Sequence, residues 1–386
     1  MSDKSLLLSD KSKLKWLEKS HKYYLNKTTI VYGRTNSGKS TLIEEIMYLC
    51  KDYIPTVFVI APTNSSNNAY TDKIPSQFIK KEIEIEWLDK LLKRQKNSAA
   101  AYINANQIDL LKRLFDRISD DTAQDLELSI IKKAHNSIIY IEDSSMEFVT
   151  KKNQKNQILN DRELMLRKLY KTNIRFNKVK LEQFDDISKE ERAALSFLDF
   201  NPNIMLILDD CASKFKKLYK KSSSIKEIFY EGRHYFFTTI ISTQDDKEID
   251  SELRKNTTVS MFTTAQAATS NFERTSNGYP KHERERSKLC IESIFKPEEY
   301  DTKHYQKMVY IPGDSDQFRY TISDIYDDFR MGSKPMWDYS NRIKSKSNNI
   351  QMGSVAVRQG VFQRIFDAVA LSDERAKLGQ HVYSVN

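Results

Sequence analysis

Continuous apolar runs, each closed by polar or turn-forming residues, mark both ends of the chain's first 325 residues and leave the middle bare. The runs are "TTIVY" (28–32), "PTVFVIAPT" (55–63), "NPNIMLILDDC" (201–211), "RHYFFTTIISTQDD" (233–246) and "TTVSMFTTA" (257–265). Unbroken stretches of Ile, Val, Leu and Thr of this length predict buried strands. Between the first two runs, "SGKSTLIEEIMYLC" places Leu42, Ile43, Ile46, Met47 and Leu49 at helical spacing. Strand, glycine turn, helix and strand open an α/β unit with a parallel-type central sheet. "KMVYI" and "QFRYTI", separated by "PGDSD", predict a hairpin near the end of this pattern.

Elsewhere the pattern changes. Residues 1–26 are charged, and Leu14, Trp16 and Leu17 predict one face of a short N-terminal helix. From 82 to 200, "EWLDKLLKRQ" and "IDLLKRLFDRISD" predict amphipathic helices, "HNSIIYIEDSS" has room for one strand, and the polar 151–173 becomes helical toward its end. That span is too long for a connection and predicts a mostly helical insertion or lid. The organisation expected is an N-terminal segment (1–26), a core in two parts (27–81 and 201–325), the insertion (82–200) and a C-terminal extension (326–386). In the extension, "KSKSNNIQMG" predicts a flexible link and "VFQRIFDAVALS" a last helix.

Composition narrows the classes. The chain has 386 residues, 39% of them apolar, with 19 Phe and 20 Tyr, which is ample material for a core. No run approaches the roughly 20 apolar residues of a membrane span. The opening "LLL" is too short for a secretory signal, so cytosol or nucleus is the expected compartment. Three dispersed cysteines without a CxxC pair argue against a structural zinc site or disulfide framework. A net charge of +9 permits a polyanionic partner without requiring one.

The glycine turn carries the sharpest chemistry. "GRTNSGKST" fits G-x-x-x-x-G-K-[ST] through Gly33, Gly38, Lys39 and Ser40. Backbone N–H groups of such a loop, from Arg34, Thr35, Asn36, Ser37 and on to Thr41, converge on phosphate oxygens, aided by the positive end of the following helix. The glycines admit close approach, Lys39 reaches the outer phosphates, and Ser40 takes a place on Mg²⁺. The expected ligands are therefore ATP and Mg²⁺. Arg34 either touches phosphate, bridges to a neighbouring subunit, or is solvated.

Phosphoryl chemistry also needs a carboxylate on the metal and a group that orients water. Asp209 ends the run "IMLIL" as the metal-side acid, and Asp210 follows as the water-orienting acid; capping of the next segment is the plainer alternative. "TTIISTQ" offers Gln244 to hold water or sense the terminal phosphate, with Ser242 and Thr243 as weaker candidates. Arg254, just before a strand in "SELRKNTTVSMF", is the candidate to reach across a subunit boundary, with Arg233 as runner-up. "SKFKKLYKKSSSIK" (213–226) is dense in lysine; it is either a contact for nucleic-acid phosphates or a solvated face.

Together "GRTNSGKST", "IMLILDD", "FFTTIISTQ", "LRKNTTVSMF" and "YQKMVYI" resemble the genome-packaging ATPases of nucleocytoplasmic large DNA viruses, of the poxvirus and iridovirus type, within the FtsK–HerA class. The resemblance covers roughly 25–80 and 200–320 and leaves the insertion and the tail unexplained. It implies a RecA-like P-loop NTPase core that acts as a ring of identical subunits on double-stranded DNA and moves it into a preformed capsid. A capsid portal or vertex protein would be a further partner, and the host cytoplasm or viral factory the location. It also implies Lys39 and Ser40 as the Walker A pair, Asp209 as the Walker B acid, Asp210 in the place of a catalytic acid, Gln244 as the family's conserved glutamine and Arg254 as the trans-acting arginine. Asp210 departs from the glutamate common in the wider class. A nucleotide switch, a small-molecule kinase, or an assembly protein that binds ATP without translocating would share the P-loop and need no pore.

Overall fold

A computed structural model of the chain describes residues 5–62, 69–295 and 306–350. These fall into two compact units, one of 5–96 with 201–350 and one of 97–200.

The first unit is built on a single mixed sheet of ten strands in the order β1-β2-β10-β9-β8-β3-β7-β6-β4-β5. The strands are β1 (Ser5–Leu7), β2 (Lys13–Trp16), β3 (Thr28–Tyr32), β4 (Thr56–Ile60), β5 (Ile79–Lys80), β6 (Ile204–Leu208), β7 (Phe237–Thr243), β8 (Val259–Phe262), β9 (Gln306–Tyr310) and β10 (Phe318–Ile322). From β8 to β5 every pairing is parallel. All five residues of β6 and all seven of β7 are buried, as their unbroken apolar and Thr-rich runs require.

The sheet is mixed rather than wholly parallel-type, because the hairpin joins it by an antiparallel strand. β9 runs antiparallel to β8, and β10 antiparallel to β9. The tight connection closes with Ile311 N–H donating to Gln317 O at 2.8 Å, and so short a link can only reverse the chain.

The N-terminal segment is a second correction. In place of a helix, β2 pairs antiparallel with β1 and parallel with β10. Leu14 and Leu17 are buried, but Lys13, Leu14, Lys15 and Trp16 alternate outward and inward with the period of a strand. Partners some 300 residues away override the helical spacing of Leu14 and Leu17.

Helices of this unit are α1 (Lys39–Cys50), the start of α2 (Ile85–Ala105), α8 (Ala212–Tyr219), α9 (Ser223–Glu231), α10 (Ser251–Lys255), α11 (Ala265–Glu273), α12 (Lys281–Ile294) and α13 (Lys334–Ile350). Helix α13 runs through the first part of "KSKSNNIQMG", where a flexible link is expected. The rest of that link and "VFQRIFDAVALS" lie outside the described residues.

The second unit is helical: α3 (Ile108–Asp116), α4 (Asp121–Asp143), α5 (Phe148–Phe176), α6 (Lys178–Glu182) and α7 (Lys189–Phe197) follow the end of α2. "HNSIIYIEDSS", a possible strand by sequence, lies at the C-terminal end of α4. Within α4, Ile141 is buried while Ile139 and Tyr140 are exposed, a helical separation that a continuous apolar run conceals. Leu111, Leu114, Phe115, Tyr170, Ile174 and Leu195 form the core. Asp120 caps α4 by accepting from Ala123 N–H at 2.8 Å. Ser188 and Glu191 form a reciprocal capping box on α7. Among the described residues no helix is long and apolar enough to cross a membrane.

Phe115 is 0% exposed at the centre of the helical core. Phe115→Ala is expected to destabilise this unit by about 3–5 kcal/mol. Denaturant unfolding, combined with loss of amide protection over 108–197, is the measurement.

Candidate functional site

Parallel strands β3, β7 and β6 end on one edge of the sheet, and their register decides what emerges there. Tyr32 pairs with Thr243, and Leu208 with Ile241. Gly33, Gln244 and Asp209, each next after a strand's last residue, therefore leave the same edge. β7 lies between the glycine-loop strand and the acid strand. Gly33 N–H extends the first pairing by donating to Thr243 O at 3.1 Å.

The loop from Gly33 to Gly38 turns on two residues of positive φ, Asn36 at 60° and Gly38 at 83°. Gly38 is the N-cap of α1 and supplies no side-chain cap. Glycine is required at 33 for a different reason. A Cβ there would lie 1.7 Å from Thr263 Oγ1 and 2.6 Å from Ser37 Oγ. Those two hydroxyls bond each other at 2.5 Å, and Thr263 Oγ1 lies 3.2 Å from Tyr32 O.

Lys39 is 7% exposed, and its Nζ donates to Gly33 O at 2.8 Å and Arg34 O at 3.1 Å. Burial holds its ammonium below the ordinary lysine range, while the carboxylates of Asp210, Asp209 and Glu248 pull the other way. Arg34, Thr35, Asn36 and Ser40 are exposed, and Ser37 and Thr41 half-buried. Backbone N–H groups at the head of a twelve-residue helix, with a lysine beside them, are suited to a polyphosphate.

Asp209 is buried, and both its oxygens accept hydrogen bonds. Ser242 Oγ donates to Oδ1, and Tyr70 OH donates to Oδ2 at 2.9 Å. Burial and the adjacent Asp209 carboxylate push the Tyr70 phenol far up, so it remains a donor. Asp210 is exposed, with φ of 50°. Its N–H donates to Ser242 Oγ at 3.1 Å. One serine thus fixes both acids: its proton goes to the first, and its lone pair receives the backbone of the second. A hard carboxylate at 209 and the hydroxyl of Ser40 are donors of the kind Mg²⁺ takes.

Gln244 is exposed at the end of β7. Beside it, Thr243 Oγ1 lies 2.7 Å from Glu248 Oε2 and 2.8 Å from Asp245 O. Arg254 is half-buried. Its guanidinium donates to Asn277 Oδ1 (2.7 Å), Asp246 O (2.6 Å), Ile249 O (2.5 Å) and Ser276 Oγ (3.2 Å), all of its own chain. Arg254, the expected trans-acting arginine, thus braces the segment after β7 within its own chain. Arg233 is exposed at the N-terminal end of β7, its Nε 3.3 Å from His234 Nε2.

The sequence reading does not single out Tyr70, Glu248, Thr263 or Lys307. Lys307 lies on β9, and its Nζ donates to Ser37 O at 3.1 Å. Lys307 heads "KMVYI" directly after Gln306, a polar strand start that leaves no trace of its burial in the sequence.

The fold is α/β, with a mixed central sheet and helical insertions, and its site joins a glycine loop, a lysine and paired acids on one sheet edge. A model of the zonular occludens toxin (Zot) family matches residues 133–276. Uncharacterized protein B354L of African swine fever virus (isolate Tick/Malawi/Lil 20-1/1983) is 29% identical over 343 residues, 85% of this chain and 90% of its own length. Uncharacterized protein 075L of Invertebrate iridescent virus 6 is 40% identical over 67 residues, 17% of this chain and 26% of its own. The genome packaging NTPase B204 from Sulfolobus turreted icosahedral virus 2, solved in complex with sulfate, aligns with 81% of this chain and 100% of its own at 13% identity and a TM-score of 0.39.

Ser242→Ala removes the donor to Asp209 Oδ1 and the acceptor for Asp210 N–H together. A loss of about 1.5–3 kcal/mol is expected, as for a buried hydrogen bond to a charged group. Urea unfolding of the two proteins measures it.

Proposed function

We propose that the chain is an ATP-hydrolysing motor that translocates double-stranded DNA, as a ring of identical copies, into a viral capsid. The observation that carries this reading is the shared edge on which Lys39, Asp209 and Asp210 meet through Gly33, Thr243 and Ser242. A relative in African swine fever virus that matches most of this chain is consistent with a viral setting. The host cytoplasm or viral factory is the corresponding place of action, and a portal or vertex protein of the capsid the docking partner.

In this reading amides from Gly33 to Thr41 wrap the triphosphate, and Lys39 leaves the carbonyls of Gly33 and Arg34 for the outer phosphates. Ser40 and Asp209 would hold Mg²⁺, whose charge offsets that of the phosphates. Ser242 and Tyr70 keep the Asp209 carboxylate oriented. Asp210, held at a positive φ by its bond to Ser242, orients the attacking water, and Gln244 senses the terminal phosphate from the end of β7. Arg254, or the exposed runner-up Arg233, is the arginine offered to a neighbour's nucleotide.

Helix α8 follows Asp210 directly. Phe215 and Tyr219 are buried, whereas Lys214, Lys217, Lys220 and Lys221 are exposed on α8 and just beyond it. Lys216 differs from them: its Nζ donates to Lys247 O at 2.6 Å. The four exposed lysines are the proposed contact to backbone phosphates, placed where a change at the acids would move them.

Lys39→Ala is expected to abolish ATP hydrolysis and ATP-driven movement of DNA; undiminished hydrolysis by the purified variant would refute the assignment. Stimulation of wild-type hydrolysis by long duplex DNA, weakening with salt, separates a motor from a small-molecule kinase, which would respond to its acceptor instead. Neutralising Lys214, Lys217, Lys220 and Lys221 together should weaken duplex binding and reduce the slope of log affinity against log salt by up to about 4, one for each phosphate that no longer meets a lysine. An unchanged slope would remove α8 from the DNA path.

A further inference from the structure

β9 brings a lysine into the interior of the first unit. Lys307 is 0% exposed, and burial of an ammonium is costly unless polar or anionic groups return what water gave. Two elements supply such groups. From the loop, Ser37 O accepts from Lys307 Nζ at 3.1 Å. From α1, the Glu45 carboxylate attracts it. Glu45 is itself paired with Lys19 at 3.0 Å and accepts Asp324 N–H at 2.8 Å, so the acid is fixed from two further sides. Lys307 is therefore tied to the glycine loop and to the helix that the loop opens.

The geometry of one peptide bond gives this tie a consequence. Ser37 O belongs to the same planar unit as Gly38 N–H, and the described chain has no cis peptide bond. In a trans peptide the C=O and N–H point in opposite directions. Holding the Ser37 carbonyl toward β9 therefore turns the Gly38 N–H away from β9. The position a Cβ on Gly38 would take is 3.1 Å from Lys307 Nζ, so a side chain at 38 would press on the amine that orients its own amide.

We propose that Lys307 is a positioning residue of the phosphate loop: it sets the direction of the Gly38 amide and lends a buried positive charge to an anionic nucleotide. This inference rests on the nucleotide reading of the loop given above. Burial brings the Lys307 ammonium down to about 8, with the Glu45 carboxylate opposing that fall. A bound anion favours the protonated amine. The contribution of Lys307 to affinity is thus present below pH 8 and lost as pH rises through it, by at most about tenfold per pH unit for one proton. Lys19 and Asp324 around Glu45, and Lys39 in the loop, are charged groups of the same elements, and all of them remain in the variant that follows.

The test is titration of the wild type and Lys307→Met with a non-hydrolysable ATP analogue at pH 7 and pH 9.5. The variant is expected to bind about tenfold more weakly at pH 7, as for loss of a charged hydrogen-bonding group, and the gap should close toward pH 9.5. Equal affinities at pH 7 overturn the inference, as does a gap that is unchanged at pH 9.5. Wild-type protein that binds no analogue overturns the nucleotide reading and this inference with it; wild-type binding matched by the variant overturns this inference alone. Should the variant not fold, calorimetry of the wild type in two buffers of different ionisation enthalpy decides: proton uptake on binding at pH 8.5 supports the inference, and its absence overturns it.

Discussion

The parallel pairing of β7 with both β3 and β6 is the constraint from which the site follows. Parallel strands in register deliver their C-terminal ends to one edge, whatever their separation in sequence. Here that brings a loop near residue 33 and acids near 209 each within hydrogen-bonding distance of the end of β7 near 243. The bonds that complete the edge, Gly33 N–H to Thr243 O and Ser242 Oγ to Asp209, both use residues of β7. A slip of β7 by one residue would turn Ser242 to the other face of the sheet and leave Asp209 with Tyr70 alone.

Beyond its last residue, β7 continues into a segment with little freedom. Arg254 takes the carbonyls of Asp246 and Ile249, and Arg274 pairs with the Asp246 carboxylate at 2.5 and 2.7 Å. Asp246 is nearly fully buried, so this is a charge pair whose loss would leave an uncompensated acid. The strand that joins the loop to the acids is thus fastened to α10 and to the residues following α11. Any displacement at Gln244 has those arginines as its mechanical continuation.

Local patterns are legible in the sequence, and distant pairings are not. The glycine loop, the acids at 209 and 210 and the strands that carry them are consecutive residues whose types state their geometry. Tyr70, Thr263 and Glu248 reach the site only through the fold, and no local pattern separates them from other polar residues. Lys307 follows Gln306 at the polar start of its strand, and its partner at 37 is 270 residues away in sequence. The N-terminal segment misleads for the same reason in reverse. Leu14 and Leu17 suit one helix face, and only the presence of β10 beside them makes a strand the better burial. The position of Arg254 before a strand says nothing about which carbonyls will fill its fork.

The sheet narrows to almost nothing at its margins. β1 has three residues and β5 two, so neither border offers a long row of unpaired amides on which another chain could continue the ladder. Among the described residues, the borders therefore give one sheet little ladder on which to extend into another. A contact made instead by side chains on helices and loops would let one body tilt or slide against another without breaking backbone bonds.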